Sequence, residues 1–566
     1  MRKSDSGVKS NFQSIQLTQS TATIHVNQLG FRPDDPLKRA VMPVDVCATG
    51  FLGGIQFRVI QVSEFIKHAL NSPGTLAAAH DFDATFEDTP LGRYAVCDFS
   101  QLTARGGYQV QYGPVRSYPF LIYRDAWKRC FPLLLEWYRI AACGEAVPGY
   151  HERCHRDDCQ LPDGQPVDLV GGWHDAGDLR KWTSTMAYVS WHLAELASEH
   201  AGKLDQLGLD PDLVARQLQR GADYLRKTVD PRRHLPWHSV ASADDNSCNT
   251  WEGPRLAETD TPALTAAAYI EAQCALARVL PAPESSIASA LAVWQALADP
   301  AQWPCALALW RVTRREEFRQ LVWNGLRELL DQQVTRADYR QDRLRGYFVR
   351  DGQIAGNAGF TGRGGRNVFE FIEHAGHLAQ ALLEWPTAPD AARWRDGLTL
   401  LLTGCIEPLL QLHPYRALPA CIFARNETDR FGRPLAGDLC FRYFPAEAEG
   451  NNLWLANAGS RLALCARALG QPRWAVYGQK QLEWILGFNP HEESMMTGLG
   501  YSRAAVFSFY VGQIPGGVIN GYTGTADDQP QLCRDREVAP MNMEYWSMNT
   551  ATMLRALAVL ENEPFG

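Results

Sequence analysis

The chain has 566 residues, 46% hydrophobic and 21% charged, with 55 basic against 63 acidic side chains for a formal net charge of -8. This ordinary globular composition excludes a disordered or collagenous chain, and no apolar run is long enough to span a bilayer. Without a long basic run there is no electrostatic ground for nucleic-acid binding, and a neutral or cationic small molecule is the expected partner. The length suits one small and one large domain. Fourteen Cys are too sparse for a disulfide scaffold. Cys274, Cys405 and Cys465 lie in apolar helical stretches and read as small hydrophobes.

Residues 1–20 are rich in Ser, Gln, Lys and Thr and read as a flexible tail. They hold no apolar stretch of the kind a secretory signal needs, so a cytoplasmic protein is expected. From 21 to 124 the pattern has period two. Ile55, Phe57 and Val59 alternate with Gln56 and Arg58, and Tyr108, Val110 and Tyr112 alternate with Gln109 and Gln111. Gly-rich turns at 51–54 and 105–107 separate such runs, which predicts an antiparallel β-sandwich.

From 125 to 566 the period is helical. Trp182, Met186, Val189, Leu193 and Leu196 mark one face of a helix. Similar stretches recur near 126–142, 211–229, 261–280, 285–299, 314–334, 367–386, 391–412, 452–469, 472–487 and 543–561, and 301–312 is a candidate twelfth. The long connections 143–181, 230–260, 335–366, 413–451 and 488–542 are dense in Gly, Trp, His and acidic residues, and loops so long are usually functional. Helices with long loops between alternate pairs fit a toroid of helical hairpins with a site at one rim. No strict sequence period supports a repeat solenoid.

The most informative loop stretch is Gly171-Gly-Trp-His-Asp-Ala-Gly-Asp178. Asp175 and Asp178 can close on a tight turn if Gly177 takes a backbone conformation barred to other residues. Two carboxylates so placed can hold one water, with one ionised to take its proton. The alternative is that either Asp caps the following helix. Glu544 opens the last helical stretch, where the helix dipole favours an acid. Met543, Tyr545 and Trp546 flank it with apolar groups that resist ionisation, the condition for a general acid near neutral pH. Cys143, Cys154, His155 and His174 offer two thiolates and two imidazoles, a set suited to a tetrahedral zinc with no open position and therefore structural. A Cys143–Cys154 disulfide or free thiols are the alternatives, and Cys159 and His151 are spare ligands.

The octet 171–178, followed by Arg180-Lys-Trp182, resembles the GGWHDAGD signature of glycoside hydrolase family 9, best known for endoglucanases. Ile24-His-Val-Asn-Gln-Leu-Gly-Phe-Arg-Pro33, Tyr108 and Ser117-Tyr-Pro-Phe120 look like the immunoglobulin-like module that precedes many of these catalytic domains. Leu486-Gly-Phe-Asn-Pro490 with Thr497-Gly-Leu-Gly500 resembles the family's NP...TG.G loop. Pro515-Gly-Gly-Val-Ile-Asn-Gly521 resembles its PGALVGG stretch, and the last helical stretch aligns without gaps to the segment that opens with the catalytic Glu. The resemblance implies an immunoglobulin-like β-sandwich over 21–124, an all-α (α/α) six-hairpin toroid over 125–566, and inverting hydrolysis. By position, Asp178 is the implied base, Asp175 the residue that orients the same water, and Glu544 the acid, with Glu537 in the final loop as its rival. Inversion calls for base and acid carboxyls roughly 6.5 to 9.5 Å apart. Family members carrying the module often hold a structural zinc through a Cys of a QRCG-like segment, here Ala141-Ala-Cys-Gly144, the Cys-His pair and the His before DAGD. Calcium, also seen in the family, has no recognisable loop here.

The chain also departs from the cellulase pattern. Where those enzymes carry a Pro-rich HHR segment after TG.G, this sequence reads Tyr501-Ser-Arg-Ala-Ala-Val-Phe507, and the tyrosine often found five residues after the acid is Asn549. Together with a cytoplasmic location, these features resemble the family's exo-β-D-glucosaminidase branch. The resemblance then implies release of glucosamine from the non-reducing end of chitosan-type oligosaccharides, with an amino-sugar disaccharide as partner and β-1,4-endoglucanase action as the alternative. A carboxylate should pair with the substrate's 2-ammonium. Asp244, Asp245 and Glu252 beside Trp251, and Glu447 and Glu449, are the loop candidates, each otherwise a solvated charge. Readings of other classes are a zinc-dependent hydrolase with His174 and the aspartates at the metal, and a sugar-binding protein without turnover.

Overall fold

The computed structural model of the chain describes residues 23–44, 55–62, 79–242, 255–297, 303–335, 344–350, 353–354, 366–424, 432–436, 439–446, 449–503, 506–508, 514–533 and 539–562. The period-two region forms strands β1 (Gly30–Phe31), β2 (Arg39–Pro43), β3 (Gln56–Val62), β4 (Ala79–Asp83), β5 (Thr85–Thr89), β6 (Gly92–Asp98), β7 (Gly106–Tyr112), β8 (Val115–Arg116) and β9 (Phe120–Ile122). One sheet runs β1-β9-β7-β3-β4 with β8 on β7, and a second runs β2-β6-β5. Phe57, Val59, Val110, Phe120 and Ile122 of the first sheet share a buried cluster with Ala40, Met42, Ala95 and Cys97 of the second. Gln56 and Arg58 face water. These are the two faces that strict alternation requires of a half-buried strand.

The helical stretches become α1 (Cys130–Ile140), α2 (Thr183–Glu199), α3 (Pro211–Lys227), α4 (Ala263–Leu276), α5 (Pro283–Ala296), α6 (Trp303–Thr313), α7 (Glu316–Asp331), α8 (Val368–Glu384) and α9 (Ala391–Leu401). The last of these runs on through a wider turn into α10 (Glu407–Gln411), and α11 (Asn452–Leu469), α12 (Arg473–Ile485), the short α13 (Ala539–Met543) and α14 (Ser547–Glu561) complete the series. The candidate stretch at 301–312 is helical, as α6. Local chemistry explains individual boundaries. At α3, the Asp210 carboxylate accepts the Asp212 N–H at 2.9 Å and Pro211 occupies the first turn.

Packing sorts the long helices into two layers. α2, α4, α6, α8, α11 and α14 pack in a closed ring: α4 lies on α2 and α6, α11 on α8 and α14, and α14 on α2. The α6–α8 side of the ring is joined by the edge-on contact of Trp303 with His377 and by the Arg311–Glu384 ion pair. Outside them, α3 backs α2, α5 backs α4, α7 backs α6, α9 backs α8, α12 backs α11 and α1 backs α14. Inner and outer helices alternate along the chain, so all inner helices run in the same sense. Each of the long connections noted in the sequence leads into an inner helix, and their ends gather at one rim of this α/α barrel.

The sandwich is fastened to the helices through buried polar groups. Lys480 on α12 donates to Glu483 Oε1 at 2.8 Å and lies 3.5 Å from Asp35 Oδ2, with all three side chains fully buried. Gln479 donates to the same Asp35 oxygen at 2.6 Å. His25 Nδ1 lies 2.6 Å from the Tyr415 hydroxyl, and Gln28 Oε1 accepts the N–H groups of Tyr501 and Ser502 at 2.7 and 3.2 Å. Removing the charge of Lys480 strands two buried carboxylates. Lys480→Met is therefore expected to cost about 3 kcal/mol or more in equilibrium denaturant unfolding; a loss below about 1 kcal/mol would contradict this account of the junction.

Candidate active site

The loop 171–178 enters the inner ring just ahead of α2, and it is closed on itself and onto the far end of the chain. Its Asp175 N–H donates to Arg180 O at 2.7 Å. The Asp175 carbonyl accepts both the Ser547 N–H, at 2.8 Å, and the Ser547 hydroxyl, at 2.6 Å. Ser547 is the first residue of α14, whose opening N–H groups have no partner within the helix, and the loop supplies one. Tyr138 on α1 donates its hydroxyl to Ser547 O at 2.5 Å, which fixes the junction from the outer layer.

Neither aspartate caps α2, whose N-cap is Trp182 without a side-chain cap. The role expected of Gly177 also changes. Positive φ in this stretch falls on Gly171 and Gly172 at its start and on Leu179, at φ 68°, at its end, while Gly177 is not among the residues of positive φ. Gly177 is required for space: a Cβ there would stand 2.7 Å from Phe507 O and 3.3 Å from Glu544 Oε1. The missing side chain lets the aspartate loop and the Glu544 segment touch.

Glu544 does not lie in the first turn of a helix, as its sequence position suggested. It sits between α13 and α14, in extended backbone held on both sides. Phe507 N–H donates to Met543 O at 3.0 Å, and Glu544 O accepts the Asn520 N–H at 2.9 Å. The Pro515–Gly521 segment thus runs beside the acid, and Asn549 of α14 bolts it there by donating to Asn520 Oδ1 at 2.9 Å. Asn549 is buried and serves that segment. The Tyr501 segment, which departs from the cellulase pattern, is seated on the sandwich through Gln28 and stacks on Tyr118 with ring centroids 6.0 Å apart.

Asp175 and Glu544 are 8% and 6% exposed, and Asp178 is more open. Burial pushes Glu544 up to about 8, with Asp178 and then Asp175 adding to it, while the Trp546 indole N–H, donated to Oε2 at 3.0 Å, works the other way. Burial likewise raises Asp175 to about 7, aided by Asp178 and opposed by the Thr185 hydroxyl. Asp178 rises only to about 6, because the Arg180 N–H and the charges of Arg180 and Arg255 offset its burial. At neutral pH this ordering favours the protonated form of Glu544 and puts negative charge first on Asp178. Asp175 Oδ1 and Glu544 Oε1 are buried with no hydrogen-bond partner among the described residues, leaving two open hydrogen-bonding positions in the site.

Cys143, Cys154, His155 and His174 converge behind the loop, their ligand atoms all within 4.8 Å of one another and all four residues buried. His155 Nδ1 lies 3.3 Å from His174 Nε2 and 3.4 Å from Cys143 Sγ, and Cys154 Sγ lies 3.6 Å from His174 Nε2. A tetrahedral zinc site has N–N edges of about 3.4 Å and S–N edges of about 3.6 Å, given bond lengths of about 2.0 to 2.3 Å. The donor set therefore fits zinc in both chemistry and size. No disulfide joins Cys143 to Cys154. Of the spare ligands, the His151 nitrogens meet the carbonyls of Ile140 and Glu152 at 2.9 and 2.8 Å, and Cys159 is outside the set.

Glu537, Asp244, Asp245, Trp251, Glu252 and Glu447 lie outside the described residues, and Glu449 is half-buried. Sequence reasoning missed Ser547 and Tyr138. A Ser at the start of a helical pattern was the available signal for the first; nothing local marks the second. Trp546, read as part of an apolar flank, is also the indole donor to the acid.

Residues 128–302 match the profile of Glycosyl hydrolase family 9. That span includes the four candidate metal ligands and both aspartates. A cellodextrinase of Butyrivibrio fibrisolvens is 32% identical over 165 residues, 26% of this chain and 30% of the relative, and Endoglucanase 22 of Arabidopsis thaliana is 34% identical over 156 residues, 27% and 28% respectively. The matched stretches thus span under a third of those relatives. Across whole chains, the crystal structure of a metagenome-derived glycoside hydrolase family 9 endoglucanase superposes with a TM-score of 0.69 at 19% identity, covering 95% of this chain and 99% of that one. A thermostable endoglucanase from Alicyclobacillus acidocaldarius gives 0.66 at 16% identity, covering 95% and 99%. The segment that builds the aspartate loop thus matches glycosyl hydrolase family 9, and the fold of those structures extends over nearly the whole chain.

Proposed function

We propose that the chain is an inverting glycoside hydrolase of β-1,4-linked glucan oligosaccharides, with Asp178 as general base, Asp175 orienting the attacking water and Glu544 as general acid. The observation that carries this reading is the meeting of three desolvated carboxyls whose surroundings separate their proton affinities. Asp178 takes the proton of a water held between it and Asp175, and Glu544 gives its proton to the departing glycosidic oxygen. The same reading takes the two-sheet unit as an immunoglobulin-like module and the paired helices as a six-hairpin toroid.

The choice of glucan follows the names of the relatives, cellodextrinase and endoglucanase, and a neighbour of TM-score 0.66 was solved in complex with a cellobiose-like isofagomine. An amino-sugar substrate is the competing outcome. Incubation with cellodextrins, chitosan disaccharide and N-acetylchitobiose decides between them: glucose or cellobiose from cellodextrins is expected, and glucosamine release without cellodextrin cleavage would move the assignment to amino-sugars.

The pH profile follows from the proton affinities. Below about pH 6 the aspartate pair is protonated and there is no base, and above about pH 8 Glu544 is ionised and there is no acid. The rate constant kcat/KM should form a bell between those limits. Asp178→Asn and Glu544→Gln should each lower kcat by about 10²–10⁴-fold, the second also removing the alkaline limb. Unchanged turnover in either variant would remove that residue from the mechanism.

We further propose that Cys143, Cys154, His155 and His174 hold a structural zinc, which would tie the loop bearing Asp175 to the end of α1 and take no part in bond cleavage. Elemental analysis should find one zinc per chain, and Cys154→Ser should lose the metal and melt at lower temperature. A metal-free, fully stable native protein would refute this, and a chelator that stops turnover without loosening the fold would give the metal a catalytic role instead.

A further inference from the structure

Behind the aspartate loop lies a second buried charge cluster that the reaction as described does not use. The Asp158 carboxylate pairs with Lys181 Nζ at 2.6 Å and accepts the Arg255 Nε–H at 2.7 Å, with Arg255 Nη2 on its other oxygen. The Asp158 and Lys181 side chains are fully buried and that of Arg255 is 1% exposed. Lys181 belongs to β10 (Lys181–Trp182) and Arg255 to β12 (Arg255–Glu258), edge strands flanking β11 (Ser239–Ser242) in a three-stranded sheet beside the loop.

Both cations also donate to the backbone of the loop, one at each end. Lys181 donates to Leu169 O at 2.5 Å and Gly171 O at 3.2 Å, where the loop begins. Arg255 Nη1 donates to Leu179 O at 2.7 Å, where it ends. Leu179 has a left-handed backbone, a conformation a non-glycine residue keeps only when its surroundings over-determine it. It directly follows Asp178. Buried ion clusters are poor devices for stability alone, since apolar residues of the same volume hold a core as well or better. Two cations on one anion also leave one positive charge in excess beneath the aspartates.

We propose that Asp158, Lys181 and Arg255 form a positioning clamp that fixes both ends of the 171–179 loop and so sets the geometry of Asp178. The proposal rests on the hydrolytic reading above. The clamp also biases the charge of the base: Asp175, Glu544, Arg180 and Arg255 are the charged groups that act on Asp178, and Arg255 favours its ionised form.

The test compares Arg255→Lys and Arg255→Gln with wild type by kcat, KM, pH profile and melting temperature, rates being normalised to folded enzyme. Arg255→Lys keeps the charge but cannot span Asp158 and Leu179 O. It should lose about 100-fold in kcat with KM nearly unchanged and the acid limb in place. Arg255→Gln also loses the charge, so Asp178 ionises less readily and the acid limb should move up by about half a pH unit or more. Variants that melt lower yet turn over per folded molecule with wild-type kcat and wild-type limbs would reduce the cluster to scaffolding and overturn the proposal. If Arg255→Gln does not fold, the kcat of Arg255→Lys decides alone. Wild-type enzyme run alongside separates the two claims: no wild-type turnover defeats the hydrolytic reading, whereas wild-type turnover with unaffected variants defeats only the clamp.

Discussion

Two hydrogen bonds from Ser547 to the carbonyl of Asp175, at 2.8 and 2.6 Å, join parts of the chain 372 residues apart. One partner is the loop before the first inner helix and the other is the start of the last. Closing the helical ring brings those ends together, and the serine fixes their distance. Every property of the candidate site depends on that closure. Gly177 lies against Phe507 and Glu544 because the two segments are drawn into contact. The site is thus a product of the ring, since no single segment contains it.

The closure costs free energy that the fold recovers elsewhere. Three acidic groups taken out of water would repel one another if all were ionised, so burial keeps Glu544 protonated while Arg180, Arg255 and a backbone N–H ease the ionisation of Asp178. The supporting groups are themselves buried: the four sulfur and nitrogen donors that include His174, the Asp158 cluster at the loop ends, and the Lys480–Asp35–Glu483 group that seats the sandwich. The sandwich in turn holds the Tyr501 segment through Gln28, so it reaches toward the rim as well as flanking the ring.

How much of this was legible in the sequence follows from the range of the forces involved. Alternation at 55–59 and helical spacing at 182–196 record which face of a local element is buried, and both became the elements they predicted. Spacing also placed the four metal-ligand candidates together, since three of them lie near one another in the chain. What failed depended on distant partners. Glu544 looked like a helix start because its neighbours have helical periodicity, yet pairing with Phe507 and Asn520 keeps it extended and delays α14 to Ser547. Gly177 looked like a conformational necessity and is a steric one. Arg255 carries no local mark, since its partners Asp158 and Leu179 lie 97 and 76 residues away.

The departures from the cellulase pattern also look different in three dimensions. Asn549 braces the segment beside Glu544, and Tyr501 packs on the sandwich, so neither substitution by itself argues for a changed sugar. The central claim is the division of labour among the carboxyls, with base and acid acting on opposite faces of the sugar ring. Proton NMR of the first sugar released from a β-linked cellodextrin, recorded before mutarotation, tests it most directly. The account predicts the α-anomer as the initial product; an initial β-anomer would mean that a carboxylate attacks the sugar itself, and would contradict it.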